Sequence, residues 1–302
     1  MSASLKRTSL MVSLAIVAAL LLSACQAAAP AADDLLGQVK ARGTIRISTD
    51  PNYEPQSVLV AGATRAANTK CGGNELTATE LAGFDIDTAV EIAKRLGVEA
   101  CFVTPSWDTI TAGSWAGQWD ISVGSMTITK PRQEVLLFTS GYYFTPAQLA
   151  AAPGSGISSV ADLSGKAVCV GTATTYELYL KGEDVGIPAS DIKVPPPSDV
   201  QVIALDTDAE CAQAIQAGRT EFAAFLTSGT VVDGSIANGI VVEKVGSPVF
   251  VEQLAVAIDK SSPKDPQSLA DEISTIIGAM HADGTLKASS MKWFGADLTT
   301  VQ

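Results

Sequence analysis

The sequence carries one histidine, His281, in 302 residues, and its five cysteines include no C-x-x-C pair. Zinc sites draw on cysteine and histidine at short spacings, so the chain offers no zinc centre, and neither a metal nor a cofactor is expected. Basic residues are scarce as well, with 20 Lys and Arg against 32 Asp and Glu. A chain this acidic is not built to follow nucleic acid or to lie on an anionic membrane face. It can still take a small anion, because one close guanidinium outweighs a distant acidic surface. Apolar runs long enough to span a bilayer are also missing. The longest, Leu10 to Leu22, is broken only by Ser13 and falls short of the roughly 18 to 20 residues that a membrane helix needs.

What is present begins with that run. Lys6 and Arg7 precede it and Leu22-Ser23-Ala24-Cys25 follows it, so residues 1–25 read as a secretory signal. The stretch "LSAC" resembles the bacterial lipobox, which implies that Cys25 becomes the lipidated first residue of the mature protein. Residues 26–41, opening "QAAAPAADD", read as a flexible tether. Without Lys6 and Arg7 the basic count is 18 against 32 acidic residues, a net charge of −14. Roughly 275 residues then remain, enough for one large or two medium domains. Cys71, Cys101, Cys169 and Cys211 are an even set in an exported chain, which favours disulfides, and four cysteines allow three pairings.

Short β-rich runs alternate with helical patterns, the signature of α/β layering. "TIRIST" (44–49) is a strand, and a polar insert at about 55–80 is a hairpin or loop. "DIDTAVEIAKRLG" keeps Ala89, Val90, Ile92, Ala93 and Leu96 on one helical face and stops at Gly97. "EACFVT" and "DISVGS" are strands, with a short helix in "DTITAGSWAG" between them. The run 136–152 carries Pro146 and is expected to cross between two bodies rather than to be a central strand. The alternation then restarts with "KAVCVG", "TTYELYLKG", "DAECAQAIQAG" and "EFAAFL". A second extended run at 251–259 precedes a long amphipathic helix in 265–284.

The stretch "GSMTITKPRQ", Gly124 to Gln133, concentrates hydroxyls ahead of a lone Arg132. With Thr129 as N-cap and Pro131 in the first turn, a helix starts at about Lys130 and Arg132 projects from its first turn. A cation there opposes the helix dipole unless an anion lies between the two. The same residues would also serve as an ordinary polar loop before a helix. A second such turn follows "KAVCV", where Thr174 to Glu177 fits a capping box and Gly171-Thr172-Ala173 lets a ligand approach the N–H of Thr175.

From about Gly43 to Gly295 the chain resembles the polar amino acid-binding family of extracellular solute-binding proteins, the receptor component of ATP-driven importers. The resemblance rests on "ISTDPNYEP", "LAGFDIDTAVEIAKRLG", Trp107-Asp108, "WDISVGSMTITKPRQEVLLFTSGYY", "GKAVCVGTATTYELYL", "QAGRTEFAAF" and "DGTLKASSMKWFG". It implies a two-lobed periplasmic-binding-protein-like fold of two α/β lobes, with crossovers at about Tyr142 to Pro146 and Glu252 to Leu254 and the ligand in the cleft between the lobes. Residues 42–143 with 253–297 would form lobe one and 144–252 lobe two. Pairing the cysteines within lobes gives Cys71 with Cys101 and Cys169 with Cys211.

The resemblance also implies that Arg132 forks onto a ligand carboxylate, with Ser125, Met126 and Thr127 contributing from lobe one and Thr174 and Thr175 from lobe two. Tyr53 and Trp107 would sandwich the ligand side chain, or else pack in the core. Asp50 would receive an ammonium or guanidinium, or cap the turn after its strand. Asp85 and Asp87 are read as structural. In one respect the chain departs from the family, which places an aspartate where counting from Gly218-Arg219 arrives at Leu226. Either another acid, Asp50 or Glu252, takes over, or the ligand is not a standard α-amino acid.

The expected function is a lipid-anchored, monomeric extracytoplasmic receptor. It closes on an amino acid or similar small carboxylate and delivers it to the permease of an ABC importer. The alternatives are a dehydratase or lyase of the same fold and a sensory ligand-binding subunit. No nucleophile–base pair supports an enzyme, and no catalytic residue is assigned.

Overall fold

The computed structural model of the protein describes residues 33–300. Cys25 and residues 26–32 lie outside the described residues. The helices are α1 (Leu35–Arg42), α2 (Phe84–Leu96), α3 (Trp107–Thr111), α4 (Lys130–Val135), α5 (Thr175–Leu180), α6 (Asp208–Gln216), α7 (Gly229–Ala237), α8 (Gln267–Ala282) and α9 (Thr285–Phe294). The main strands are β1 (Thr44–Ser48), β6 (Glu99–Val103), β7 (Ile121–Thr127), β8 (Leu136–Ala151), β9 (Ala167–Gly171), β10 (Gln201–Leu205), β11 (Ala224–Ser228) and β12 (Glu243–Asp259). The polar insert forms short strands β2 (Asn52–Tyr53), β3 (Ser57–Leu59), β4 (Leu76–Thr77) and β5 (Leu81–Ala82).

One nine-stranded sheet has the order β10-β9-β11-β8-β12-β7-β1-β6-β4. Its two ends repeat one design. β1 pairs in parallel with β6 and β7 on one side, and β9 pairs in parallel with β10 and β11 on the other. Each parallel group is covered by helices, and β7 is buried along its whole length, as a strand covered on both faces should be. The apolar face of α2 packs Phe84, Ala89, Ile92 and Leu96 with Ile45, Phe102 and Ile121 in the core of the first lobe. Gly97 ends the helix at φ 76°, where a residue without a Cβ carries least strain. The second lobe has its own core around Val168, Tyr179, Leu226 and Phe250.

The two lobes meet along β8 and β12. Tyr143, Phe144, Thr145 and Pro146 pair in antiparallel register with Leu254, Gln253, Glu252 and Val251, so the two segments expected to cross between lobes pair with each other. The expectation that 136–152 would not be a central strand is corrected. β8 lies mid-sheet between β11 and β12, and its one proline sits in a ladder with many other hydrogen bonds to hold it.

The tether is corrected as well. Within 26–41, Asp34 accepts the N–H of Gly37 at 2.7 Å and caps α1, whose Leu35 and Val39 are buried in the first core. The short helix expected in 108–117 ends at Thr111, and "EFAAFL" enters the sheet only from Ala224. Strand β10 and helices α7 and α9 were not anticipated. Both disulfides join the expected partners, Cys71 with Cys101 and Cys169 with Cys211. No described helix is long and apolar enough to cross a membrane.

Candidate ligand-binding cleft

Parallel strands in the two lobes direct their C-terminal ends toward one crevice, the place where open α/β sheets bind ligands. Asp50 follows β1, Ser125 and Thr127 end β7, Gly171 ends β9, Asp206 and Thr207 follow β10, and Asp208 opens α6. All of them line one cleft of about 450 Å³, part of it open to solvent.

Arg132 is placed as its sequence neighbourhood predicts. Thr129 caps α4 by accepting the Arg132 N–H at 3.3 Å. The guanidinium donates to the carbonyl of Thr127 at 3.2 Å and, across the cleft, to the carbonyl of Ala173 at 3.1 Å. It also lies over the Trp107 ring, 5.5 Å from the ring centre. Arg132 makes no ion pair among the described residues and is the only cation lining the cleft. Burial pulls its pKa down to about 10, partly opposed by Glu252, so it remains charged at neutral pH.

Across the crevice, Thr174 accepts the Glu177 N–H at 3.2 Å and caps α5. The capping box is modified. The Glu177 carboxylate accepts from Ala173 at 2.8 Å rather than from the N-cap, and Ala173 takes a left-handed φ of 57°. Thr175 donates its hydroxyl at 2.6 Å to Oε2 of Glu252, the same oxygen to which Thr127 of the first lobe donates. Glu252 is 1% exposed, and its Oε1 has no hydrogen-bond partner among the described residues. Burial raises its pKa, and the hydroxyls of Thr127, Thr175 and Tyr176 together with Arg132 act against that rise.

The hydroxyls of Tyr53 and Tyr176, one from each lobe, meet at 3.2 Å. Asp50 both lines the cleft and accepts the Asn52 N–H at 2.9 Å, so it caps the turn after β1 while facing the crevice. Its pKa is raised, chiefly by burial. Trp107 lines the cleft from the first position of α3.

Ser125 reaches the cleft, but its polar groups are taken. Its hydroxyl lies 2.7 Å from Asp85 and 2.6 Å from the Tyr143 hydroxyl, and its N–H donates to Tyr142 at 3.0 Å. Asp85 is therefore structural in a stronger sense than a helix-start residue. Its carboxyl is fully buried, accepts from Ser125 and Tyr142, and is pushed up to about 7 by burial. Asp87, by contrast, accepts at the surface from Lys292 and Trp293.

Met126 is a correction. Strand alternation turns its side chain away from Ser125 and Thr127, into a core with Ile110, Trp115 and Trp119, and it does not line the cleft. Leu226 is likewise core. The β11 residue beside the site is Thr227, which adjoins Asp208.

Asp208 was not anticipated. It follows a Thr207 N-cap in a complete capping box with Glu210, an ordinary helix start in sequence. In the fold it is 5% exposed, accepts the Gly171 N–H at 2.7 Å and lines the cleft, with its pKa pushed up to about 7, first by burial. Tyr176 and Asp206 were also missed. Only their position in the fold brings them to the site.

The chain belongs to the bacterial extracellular solute-binding proteins, family 3, whose profile matches residues 73–296. Among curated proteins it is 28% identical over 269 residues to the L-cystine-binding protein TcyJ of Escherichia coli strain K12, covering 88% of each chain. It is 27% identical over 259 residues to the histidine-binding periplasmic protein of Salmonella typhimurium strain LT2, covering 84% of this chain and 88% of the other. Among solved structures, the ancestral amino acid-binding protein AncCDT-1, a precursor of cyclohexadienyl dehydratase, matches with a TM-score of 0.67 at 27% identity. That match covers 86% of this chain and 99% of the other.

Proposed function

We propose that this protein captures a free amino acid outside the cytoplasm by closing its two lobes and delivers it to an ABC importer. The observation that carries the reading is Arg132. Its guanidinium is fixed by two carbonyls, backed by an aromatic ring, makes no ion pair among the described residues, and faces the cleft. A guanidinium held this way fits a carboxylate with two parallel hydrogen bonds. Names of relatives that bind cystine and histidine support an amino acid as the ligand. Residues 42–143 with 253–297 serve as one lobe and 144–252 as the other, and closure aligns their outer faces for a permease.

The receptor works as a monomer, tethered through lipid at Cys25, and binds without chemistry. In a thermal-shift screen of the standard amino acids on protein stripped of co-purified ligand, at least one raises the Tm by several degrees. A ligand at a thousand times its Kd stabilises by about 4 kcal/mol. A panel without any shift refutes the reading, and product formation from a bound amino acid refutes the non-enzymatic part. The anchor is tested by lipid labelling in the native host, which Cys25→Ser should abolish.

A further inference from the structure

We infer that the cleft is built for an α-amino acid with a second cationic centre, and that Asp208 and Glu252 are the acids that select it. The inference rests on the amino-acid reading above and names the ligand class within it. Among the described residues four acids line the cleft, Asp50, Asp206, Asp208 and Glu252, against the single cation Arg132. A monocarboxylate uses that cation, and a ligand with two carboxylates leaves one of them facing acids. Zwitterions with two carboxylate ends, cystine among them, therefore fit poorly even though a relative is named for binding it.

A ligand with one carboxylate and one ammonium balances too little of the acid. Glu252 makes this specific. Two threonine hydroxyls from opposite lobes converge on its Oε2, while its other oxygen is buried and has no hydrogen-bond partner among the described residues, and Glu252 lines the cleft. A buried acceptor without a donor is costly, and a cationic N–H from a ligand relieves the cost. Asp208 is held in place from behind by the Gly171 N–H at 2.7 Å, and the neighbouring β11 positions supply Leu226 to the core and Thr227 beside it rather than an acid. The two carboxyls lie on different elements, the start of α6 and strand β12, so they can hold two separate cationic groups.

The test is calorimetric titration of stripped protein with arginine, citrulline, glutamate and cystine. Citrulline keeps the shape of arginine and removes the side-chain charge. Arginine should bind on the order of a hundredfold tighter than citrulline, as expected when a buried charge loses its partner. Glu252→Gln and Asp208→Asn should each narrow that ratio at least about tenfold. Citrulline binding as tightly as arginine, or glutamate or cystine binding better than both, overturns the inference and leaves the amino-acid reading in place. Binding of none of the panel, together with a failed screen of the standard amino acids, overturns both. Folded variants that keep the full ratio overturn the assignment to these two acids. Should a variant not fold, the wild-type ratio still decides.

Discussion

The backbone N–H of Gly171 donates to Oδ1 of Asp208 at 2.7 Å, and a Cβ placed on residue 171 would stand 2.7 Å from that same oxygen. The glycine thus positions the acid by being small as well as by donating. Gly171→Ala pushes the carboxylate out of place while leaving strand β9 intact. Affinity for a cationic amino acid should fall on the order of tenfold, about 1.4 kcal/mol, with little change in Tm. Titration and melting of the same variant check this. Unchanged affinity would mean that Asp208 does not touch the ligand.

The Cys169–Cys211 disulfide lies directly behind this pair, two residues before Gly171 and three after Asp208. Replacing both cysteines by alanine should cost about 2 to 5 kcal/mol of stability. It should also weaken the preference for arginine over citrulline. The same change at Cys71 and Cys101 should lower stability and leave that preference alone, because neither cysteine lines the cleft. Melting curves and the two titrations separate the outcomes.

Binding should depend on pH with a definite sign. Asp208 is pushed up to about 7, and Asp50 and Glu252 are raised as well, in each case chiefly by burial. The other charged or titratable groups lining the same cleft are Arg132, Asp206, Tyr53 and Tyr176. A bound cation favours the ionised carboxylates, so binding below about pH 7 must displace protons. Affinity for arginine should rise with pH from 5.5 to 7.5, by up to about tenfold per unit for each group titrating. Titration in buffers of different ionisation enthalpy should show proton release at pH 6.5. Proton uptake there would contradict the assignment.

Asp85 produces a separate effect, on folding. Its native pKa of about 7 lies above the ordinary aspartate value, so between pH 4 and 7 the folded state binds the proton more tightly than the unfolded one. Stability contributed by this proton is fully present at low pH and is lost as pH rises through about 7, on the order of 3 kcal/mol across the window. Asp208 adds to the same slope in the ligand-free protein. Asp85→Asn should therefore shrink the difference in Tm between pH 5 and pH 8. An undiminished difference would show that Asp85 is ionised in the native state throughout.

Much of the fold could be read locally, and half of the residues lining the candidate cleft were named, some from local pattern and others, Asp50, Tyr53 and Trp107, from the family resemblance. Arg132 was legible because Thr129 and Pro131 fix a helix start within three residues, and Thr174 because its cap to Glu177 is equally local. The cysteine pairs followed from a two-lobed division. Asp208 was not legible, since Thr207-Asp208-Ala209-Glu210 describes a common helix start and nothing local reveals that β9 ends beside it. Glu252 stood in an extended apolar run as one of two possible substitutes for an absent acid. Its place in the cleft is fixed by hydroxyls 125 and 77 residues away in the chain. Leu226, reached by counting from Gly218-Arg219, lies in the second core, and among the described residues none of β11 lines the cleft. Met126 sits between Ser125 and Thr127 and turns the other way, since alternate residues of β7 face opposite sides.

The central claim is that Arg132 receives the carboxylate of an amino acid. The most direct test titrates wild-type protein and Arg132→Lys with arginine and with agmatine, its decarboxylated counterpart. Arginine should bind the wild type at least about a hundredfold tighter than agmatine, and Arg132→Lys should lose most of that advantage, because an ammonium cannot present the two parallel N–H groups of a guanidinium. Equal binding of arginine and agmatine by the wild type, or an advantage untouched in the lysine variant, would remove Arg132 from the site and contradict the account.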